Sequence, residues 1–392
     1  MRKYPLACDT WNNDELEQII LTIQSGRYTM GSRVKQFEKE FCDFFKCNHA
    51  VMVNSGSTAN LLVLALMKYK YGLKGDIIVP AVSWSTTFFP VTQNGFKLNF
   101  VDIDKDTLNI DPDKIEKAIT KNTCAIFAVN LLGNSCNFKR LKEIADNHNL
   151  LLIEDNCESF GATSDTGNYT GTIGELGTFS FFFSHHIQTM EGGMIVCKTK
   201  DDADYLRSLR AHGWCRHLED DNNLYEKTGD DFVDSFTFIT PGYSVRPLEM
   251  SGGIGSAQLK KWPDMFKQRK QNAQIFIDMI EKNFSDVIDI QQEVGTSSWF
   301  GFSMVLKGKF KSQRKLVTNV FANKGIECRP IVAGNFMKNP VIKYLDYIDN
   351  DDYKNADYIH ENGLFVGNDV TDLSENIKYL DEMLTLVKEL LI

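Results

Sequence analysis

Nowhere in its 392 residues does this chain place two cysteines in a C-x-x-C pair, and its nine cysteines (Cys8, Cys42, Cys47, Cys124, Cys136, Cys157, Cys197, Cys215 and Cys328) are odd in number and scattered. That pattern argues against a disulfide framework or a zinc site and leaves the cysteines as small core residues. No run of 18 uninterrupted apolar residues occurs, and the opening MRKYPLACDTWNNDELEQ meets Asp, Asn and Glu before any apolar stretch of signal length. The chain therefore reads as soluble and cytoplasmic. Basic charge is in deficit, with 43 Lys and Arg against 52 Asp and Glu for a net charge of −9. A surface for nucleic acid or anionic membrane, built chiefly on clustered Lys and Arg, is not expected. Lysine is also missing from one long interval, between Lys142 and Lys198.

What is present is an ordinary globular composition, 43% hydrophobic and 24% charged, with phenylalanine frequent at 27. The length exceeds what one hydrophobic core supports, so a large domain over 1–261 and a smaller C-terminal α/β domain over 262–392 are expected. Short apolar runs read as strands at 50–54, 76–82, 97–103, 124–130, 150–155, 177–183 and 193–198. Segments of helical periodicity at 58–69, 113–119 and 138–148 lie between them, and Asp111 before Pro112 is a helix start. Alternation of this kind predicts a doubly wound α/β domain with a mostly parallel, seven-stranded sheet. Beyond it come a helix from Asp201, an acidic solvated loop over 217–234, a helix from Arg246 past Lys260, and a strand at 298–306.

Three places carry chemistry. In Asn54-Ser55-Gly56-Ser57-Thr58-Ala59-Asn60 a strand turns into a helix, so backbone N–H groups and the Ser57 and Thr58 hydroxyls converge where a helix N-terminus holds an anion such as phosphate. The same turn also reads simply as an N-cap. Asp155 closes an apolar strand at the carboxyl edge where open α/β sheets bind ligands, and a carboxylate there suits a protonated pyridine nitrogen. Glu154, pointing the opposite way, reads as structural. The third place is the run from Gly177 through Ser180, His185 and His186 to Gly192-Gly193.

On these residues the chain resembles the DegT/DnrJ/EryC1/StrS sugar aminotransferases, in which a phosphate-binding serine precedes by five residues the lysine that carries the cofactor, followed by a Gly-Gly turn. Ser180 matches that serine, and His185 stands where the lysine would be. VMVNSGSTANL, VPAVSWSTTFFP, EDNCESFGAT, FSHHIQTMEGG, RAHGW, VRPLEMSG, SSWFGFS and GIECRPIVAGNF extend the resemblance to the family's dehydratase branch. It implies an aspartate aminotransferase-like, PLP-dependent fold type I. It also implies non-covalent pyridoxal or pyridoxamine 5'-phosphate and a homodimer with shared active sites. Gly56, Ser57, Thr58, Trp84, Asp155, Glu158, Ser180 and Ser244 would contact the cofactor. Gly26, Arg27, Tyr28, Thr29, Arg216 and Glu327 would lie near a nucleotide sugar, and His212 and Arg246 would hold L-glutamate. A bidentate guanidinium suits either anion. Ser244 stands where the family has Asn, which leaves the substrate's details open. The iron–sulfur relatives need four thiolates where this chain has only Cys215, so neither a cluster nor any other metal is expected.

The implied reaction is loss of the C3 hydroxyl from a nucleotide-linked, GDP-preferring 4-keto-6-deoxy sugar, on the way to a surface polysaccharide. Imidazole moves protons without forming the stable cofactor linkage of a lysine, so His185 becomes the acid/base and His186 the alternative. A nucleotide-sugar aminotransferase and a catalytically silent sugar-binding regulator are the competing readings, and hexose versus heptose stays open.

Overall fold

The structure is a computed structural model describing residues 3–349 and 352–391. The seven expected strands are all present: β1 (His49–Val53), β2 (Asp76–Pro80), β3 (Lys97–Val101), β4 (Thr123–Val129), β5 (Leu151–Asp155), β6 (Leu176–Ser180) and β7 (Gly193–Cys197). They order as β1-β7-β6-β5-β4-β2-β3, and β7 alone among them runs antiparallel to its neighbours. The sheet has eight strands rather than seven, because Tyr347–Ile348 pairs in parallel with β3. That two-residue strand, from far down the chain, is too short to give an alternating signal. β2 and β7 are buried along their whole length, as strands covered by helices on both faces must be.

Local chemistry sets the helices. Asp111 caps the helix Pro112–Ala118 by accepting from Asp113 N–H, and Pro112 fills its first turn. The helix Phe138–His148 buries Phe138, Leu141, Ile144 and Ala145 on one stripe, and Asn149 ends it in the left-handed region at φ 53°. The helix Ser32–Phe45 begins at Gly31, which has no side chain to cap it. Buried Glu249 does so from across the fold, accepting from Gly31 N–H at 2.5 Å and Arg33 N–H at 2.8 Å.

A second, antiparallel sheet orders Cys328–Arg329, Gly363–Gly367, Gly301–Leu306 and Ile288–Asp289. The helix Glu249–Asn283 joins the two cores: Leu259, Trp262 and Met265 pack with the large sheet's aromatics, and Ala273, Phe276 and Ile280 with the small sheet. This helix starts three residues later than expected, because Arg246-Pro247-Leu248 remain outside it. The strand expected at 298–306 starts only at Gly301, because Trp299 has φ 47° and interrupts an extended run. The acidic 217–234 segment is more folded than a solvated loop. Leu218 and Asp234 are buried, and Asp234 accepts from Tyr225 and Thr228 and lies in a short helix, Asp231–Asp234. No helix among the described residues is long and apolar enough to cross a membrane.

Candidate active site

The site gathers at the carboxyl ends of β1, β5 and β6. Parallel pairing of β5 with β4 and β6 sets Asp155 level with Val129 and Thr178. Its Oδ2 accepts from Asn60 Nδ2 at 2.9 Å and Thr87 Oγ1 at 2.7 Å, and its Oδ1 from Cys157 N–H at 3.2 Å. Donors from two helices and from the turn after β5 thus fix the carboxylate. Glu154, as expected, points the other way and is spent on structure: it accepts from the Gly171, Ile173 and Gly174 amides.

Ser55, and not Ser57 or Thr58, caps the helix Gly56–Tyr69, accepting from Thr58 N–H at 3.1 Å. Thr58 also donates its hydroxyl to Asn54 Oδ1 at 2.7 Å, so the expectation of an anion-facing Thr58 hydroxyl is corrected: amide and hydroxyl both hold the turn. Ser57 is exposed and donates only to Thr86 Oγ1, at 3.0 Å. Gly56 brings the helix start close to β6, for a Cβ there would lie 2.6 Å from Ser180 Cβ and 2.8 Å from Cys157 Sγ. Ser57, Ser180 and the helix N-terminus therefore form one small cradle of donors, suited to a phosphate. Trp84, 59% exposed, stands at the start of the helix Ser85–Gln93, whose Thr87 holds Asp155. An open indole beside a buried carboxylate and an anion cradle fits a flat, anionic aromatic ligand.

Glu158 accepts from Leu132 N–H at 3.0 Å. Burial pushes its carboxyl up to about 7, that N–H opposes the shift, and the charge of Asp155 adds to it. His185 is partly open, and its Nδ1 is buried without a hydrogen-bond partner. Its ring lies edge-on to Phe182 at 6.0 Å and Phe300 at 5.4 Å. Burial and then the Arg269 guanidinium pull its pKa down to about 4. At neutral pH it is therefore an imidazole free to accept a proton. His186 is buried, and its Nε2 lies 3.2 Å from the Ser298 carbonyl.

A second group adjoins the first. Asn54 N–H donates to Val245 O at 3.1 Å, which ties the phosphate-like turn to the segment bearing Ser244 and Arg246. Arg246 Nη2 donates to Ser244 Oγ at 3.3 Å. Ser244 bridges to Ala211, and His212, at φ 64°, donates its N–H to Tyr243 O. Trp214 lies 4.8 Å from the His212 ring, and Arg216 sits over Trp214. The turn with Gly26, Arg27, Tyr28 and Thr29 meets this group where Thr29 bridges to Leu248 and Tyr28 O accepts from Glu249 N–H. Glu327 is used as an anchor, accepting from Leu6 N–H at 3.0 Å. Asn60, Thr87, Phe300 and Arg269 were not foreseen. A polar Asn60 directly before the apolar run LLVLALM, on the same helix, was the one visible signal. Among the described residues no group of three or more His, Cys, Asp or Glu side chains is placed to hold a metal, and Cys215 donates to the Asp234 carbonyl.

The model of the DegT/DnrJ/EryC1/StrS aminotransferase family matches residues 9–378, which contain every part of this site. The chain belongs to that family. Over 390 residues it is 49% identical to the GDP-4-keto-6-deoxy-D-mannose 3-dehydratase of Yersinia pseudotuberculosis, covering 98% of each chain. A solved structure of the Escherichia coli GDP-4-keto-6-deoxy-D-mannose-3-dehydratase with bound hydrated PLP is similar at TM-score 0.94 and 48% identity, covering 98% of this chain and 99% of that one. A structure of GDP-4-keto-6-deoxymannose-3-dehydratase with a trapped PLP-glutamate geminal diamine is similar at TM-score 0.93 and 48% identity, covering 97% and 99%. His185 of this family member is flanked by two aromatic rings, Phe182 and Phe300.

Proposed function

We propose that this chain is a dehydratase that removes the C3 hydroxyl of GDP-4-keto-6-deoxy-D-mannose, with pyridoxal or pyridoxamine 5'-phosphate held non-covalently and L-glutamate as amino donor. The observation that carries the reading is His185 near a held carboxylate, a donor cradle and an exposed indole. The 49% identity to a dehydratase of that name supports it. When bound, the cofactor would supply an electron sink for bond cleavage.

The chain's own residues do the rest. Ser57, Ser180 and the helix N-terminus would hold the phosphate, Trp84 would pack on the ring, and Asp155, fixed by Asn60 and Thr87, would keep a proton on the ring nitrogen. Arg246 and His212 hold the glutamate carboxylates. His185, neutral at working pH, would accept a proton as general base and return one to the departing C3 hydroxyl oxygen. An imidazole at position 185 would not form the stable covalent linkage that a lysine amine makes.

The protein acts as a cytoplasmic homodimer in this reading. Apolar side chains crowd the mouth of the site, with Trp84, Phe182, Phe183 and Leu248 all exposed. A monomer rarely leaves such a patch uncovered. Incubation with L-glutamate and a panel of nucleotide-linked 4-keto-6-deoxy sugars, followed by mass spectrometry, tests the proposal. Glutamate-dependent 2-oxoglutarate release with loss of the C3 hydroxyl from the GDP sugar is expected. An amino sugar as the product, or no glutamate dependence, would refute it.

A further inference from the structure

An acid/base histidine is ordinarily oriented by a hydrogen bond to its second nitrogen. His185 has none, for its Nδ1 is buried and unpartnered. Two aromatic rings lie edge-on to it, and of these Phe182 is itself 43% exposed. The firm one is Phe300, 5.4 Å away at an interplanar angle of 71°.

Phe300 ends a strap, residues 297–300, that is fixed at every residue. Ser297 Oγ donates to Gly133 O at 2.9 Å and accepts from Trp299 N–H at 3.0 Å. Ser298 N–H donates to Gly133 O at 2.8 Å, and Phe300 N–H to Leu132 O at 3.1 Å. Arg269 Nη1 donates to Trp299 O at 3.1 Å. Gly133 is required for the approach, since a Cβ there would lie 2.5 Å from Trp299 N. Trp299 in the left-handed region turns the strap so that the next ring faces the histidines.

The remaining tie is His186. Its Nε2 lies 3.2 Å from Ser298 O, and a carbonyl only accepts, so that nitrogen carries the proton. Its ring packs edge-on against Trp262 at 5.3 Å and Phe300 at 5.4 Å. We propose that Phe300 is the positioning residue for His185, and that His186 is the latch that seats Phe300 by tying down the strap. The proposal rests on the reading of His185 as the proton-transfer group. The titratable and charged groups that face His185 are His186 beside it and Arg269 from the helix Glu249–Asn283.

The test uses holoenzyme and two readouts. In Phe300→Leu, which keeps apolar bulk and loses the ring, kcat for dehydration should fall about tenfold or more while KM and cofactor affinity stay within about twofold, because misplacing a reacting group costs rate more than binding. In the same variant His185, followed by NMR in protein with labelled histidine and assigned through His185→Asn, should become partly protonated at pH 6, where the parent is neutral. His186→Phe, which removes the donor to Ser298 O, should reproduce both effects, and His186→Gln should restore them towards the parent. Unchanged kcat and His185 signal in Phe300→Leu would overturn the proposal. So would a fall in kcat matched by cofactor loss, which marks a merely structural role. Should the parent turn out not to dehydrate the sugar, the reaction reading fails by itself, and the NMR arm still decides whether Phe300 sets the state of His185.

Discussion

Burial first, and the Arg269 charge second, hold His185 neutral down to about pH 4, and the sign of that shift has consequences. The proton-accepting form is present above the depressed value and lost below it, so the acidic limb of kcat/KM should lie well under the ordinary histidine value of about 6.5. A pH–rate profile of the parent checks this. In the unfolded chain the same histidine takes its proton near pH 6.5, so between about 6.5 and 4 the unfolded state binds more protons and stability falls as the pH falls. His185→Asn should therefore lose less stability than the parent across that window, by about 1–2 kcal/mol after allowance for partial exposure. Urea denaturation at pH 7 and pH 5 measures the difference. The same variant should dehydrate about 10²–10⁴-fold more slowly with the cofactor still bound, as expected for loss of a general acid–base group. Asp155 was singled out in the sequence because it closes an apolar strand, and His185 because it lies five residues past β6 in a run that resembles the family's. Asn60 and Thr87 were not, since what makes them matter is a carboxylate about 70 to 95 residues away in sequence, brought near only by the sheet.

At the scale of elements, the turn into the helix Gly56–Tyr69 places the phosphate-like cradle against β6, and its geometry tolerates nothing larger than glycine. Gly56→Ala puts a methyl group 2.6 Å from Ser180 Cβ. It should lower stability by about 1–3 kcal/mol, as overpacking does, and weaken the cofactor. Denaturation together with a cofactor titration reads both. The helix Ser32–Phe45 has its cap in Glu249, more than 200 residues away. Glu249→Ala leaves the amides of Gly31, Arg33 and Val34 without that acceptor and should cost about 1–3 kcal/mol in urea unfolding. Strands and helices of the large sheet were readable within a few residues, because burial on both faces writes continuous apolar runs. Residues 298–300 of the strap were read as the start of the strand 298–306: their aromatic composition suits a strand, and a single left-handed Trp299 leaves no mark in a hydrophobicity pattern. The cap from Glu249 is likewise invisible to any local rule.

For the whole molecule, the alternation of elements gave the doubly wound layer, while the eighth strand and the way the helix Glu249–Asn283 joins two cores emerge only in three dimensions. Light scattering should give a dimer at assay concentrations, and an active monomer would contradict shared sites. The central claim is that the intact protein holds its cofactor without a covalent lysine and performs dehydration through His185. The intact mass of the glutamate-dependent, dehydrating enzyme after borohydride reduction tests this most directly, with His185→Lys as the comparison. The parent should keep the mass of the bare chain, while the lysine variant should gain that of the reduced cofactor and lose most of its dehydratase activity. A cofactor-sized increase in the parent, or a lysine variant that becomes covalently loaded and still dehydrates at the parental rate, would contradict the account.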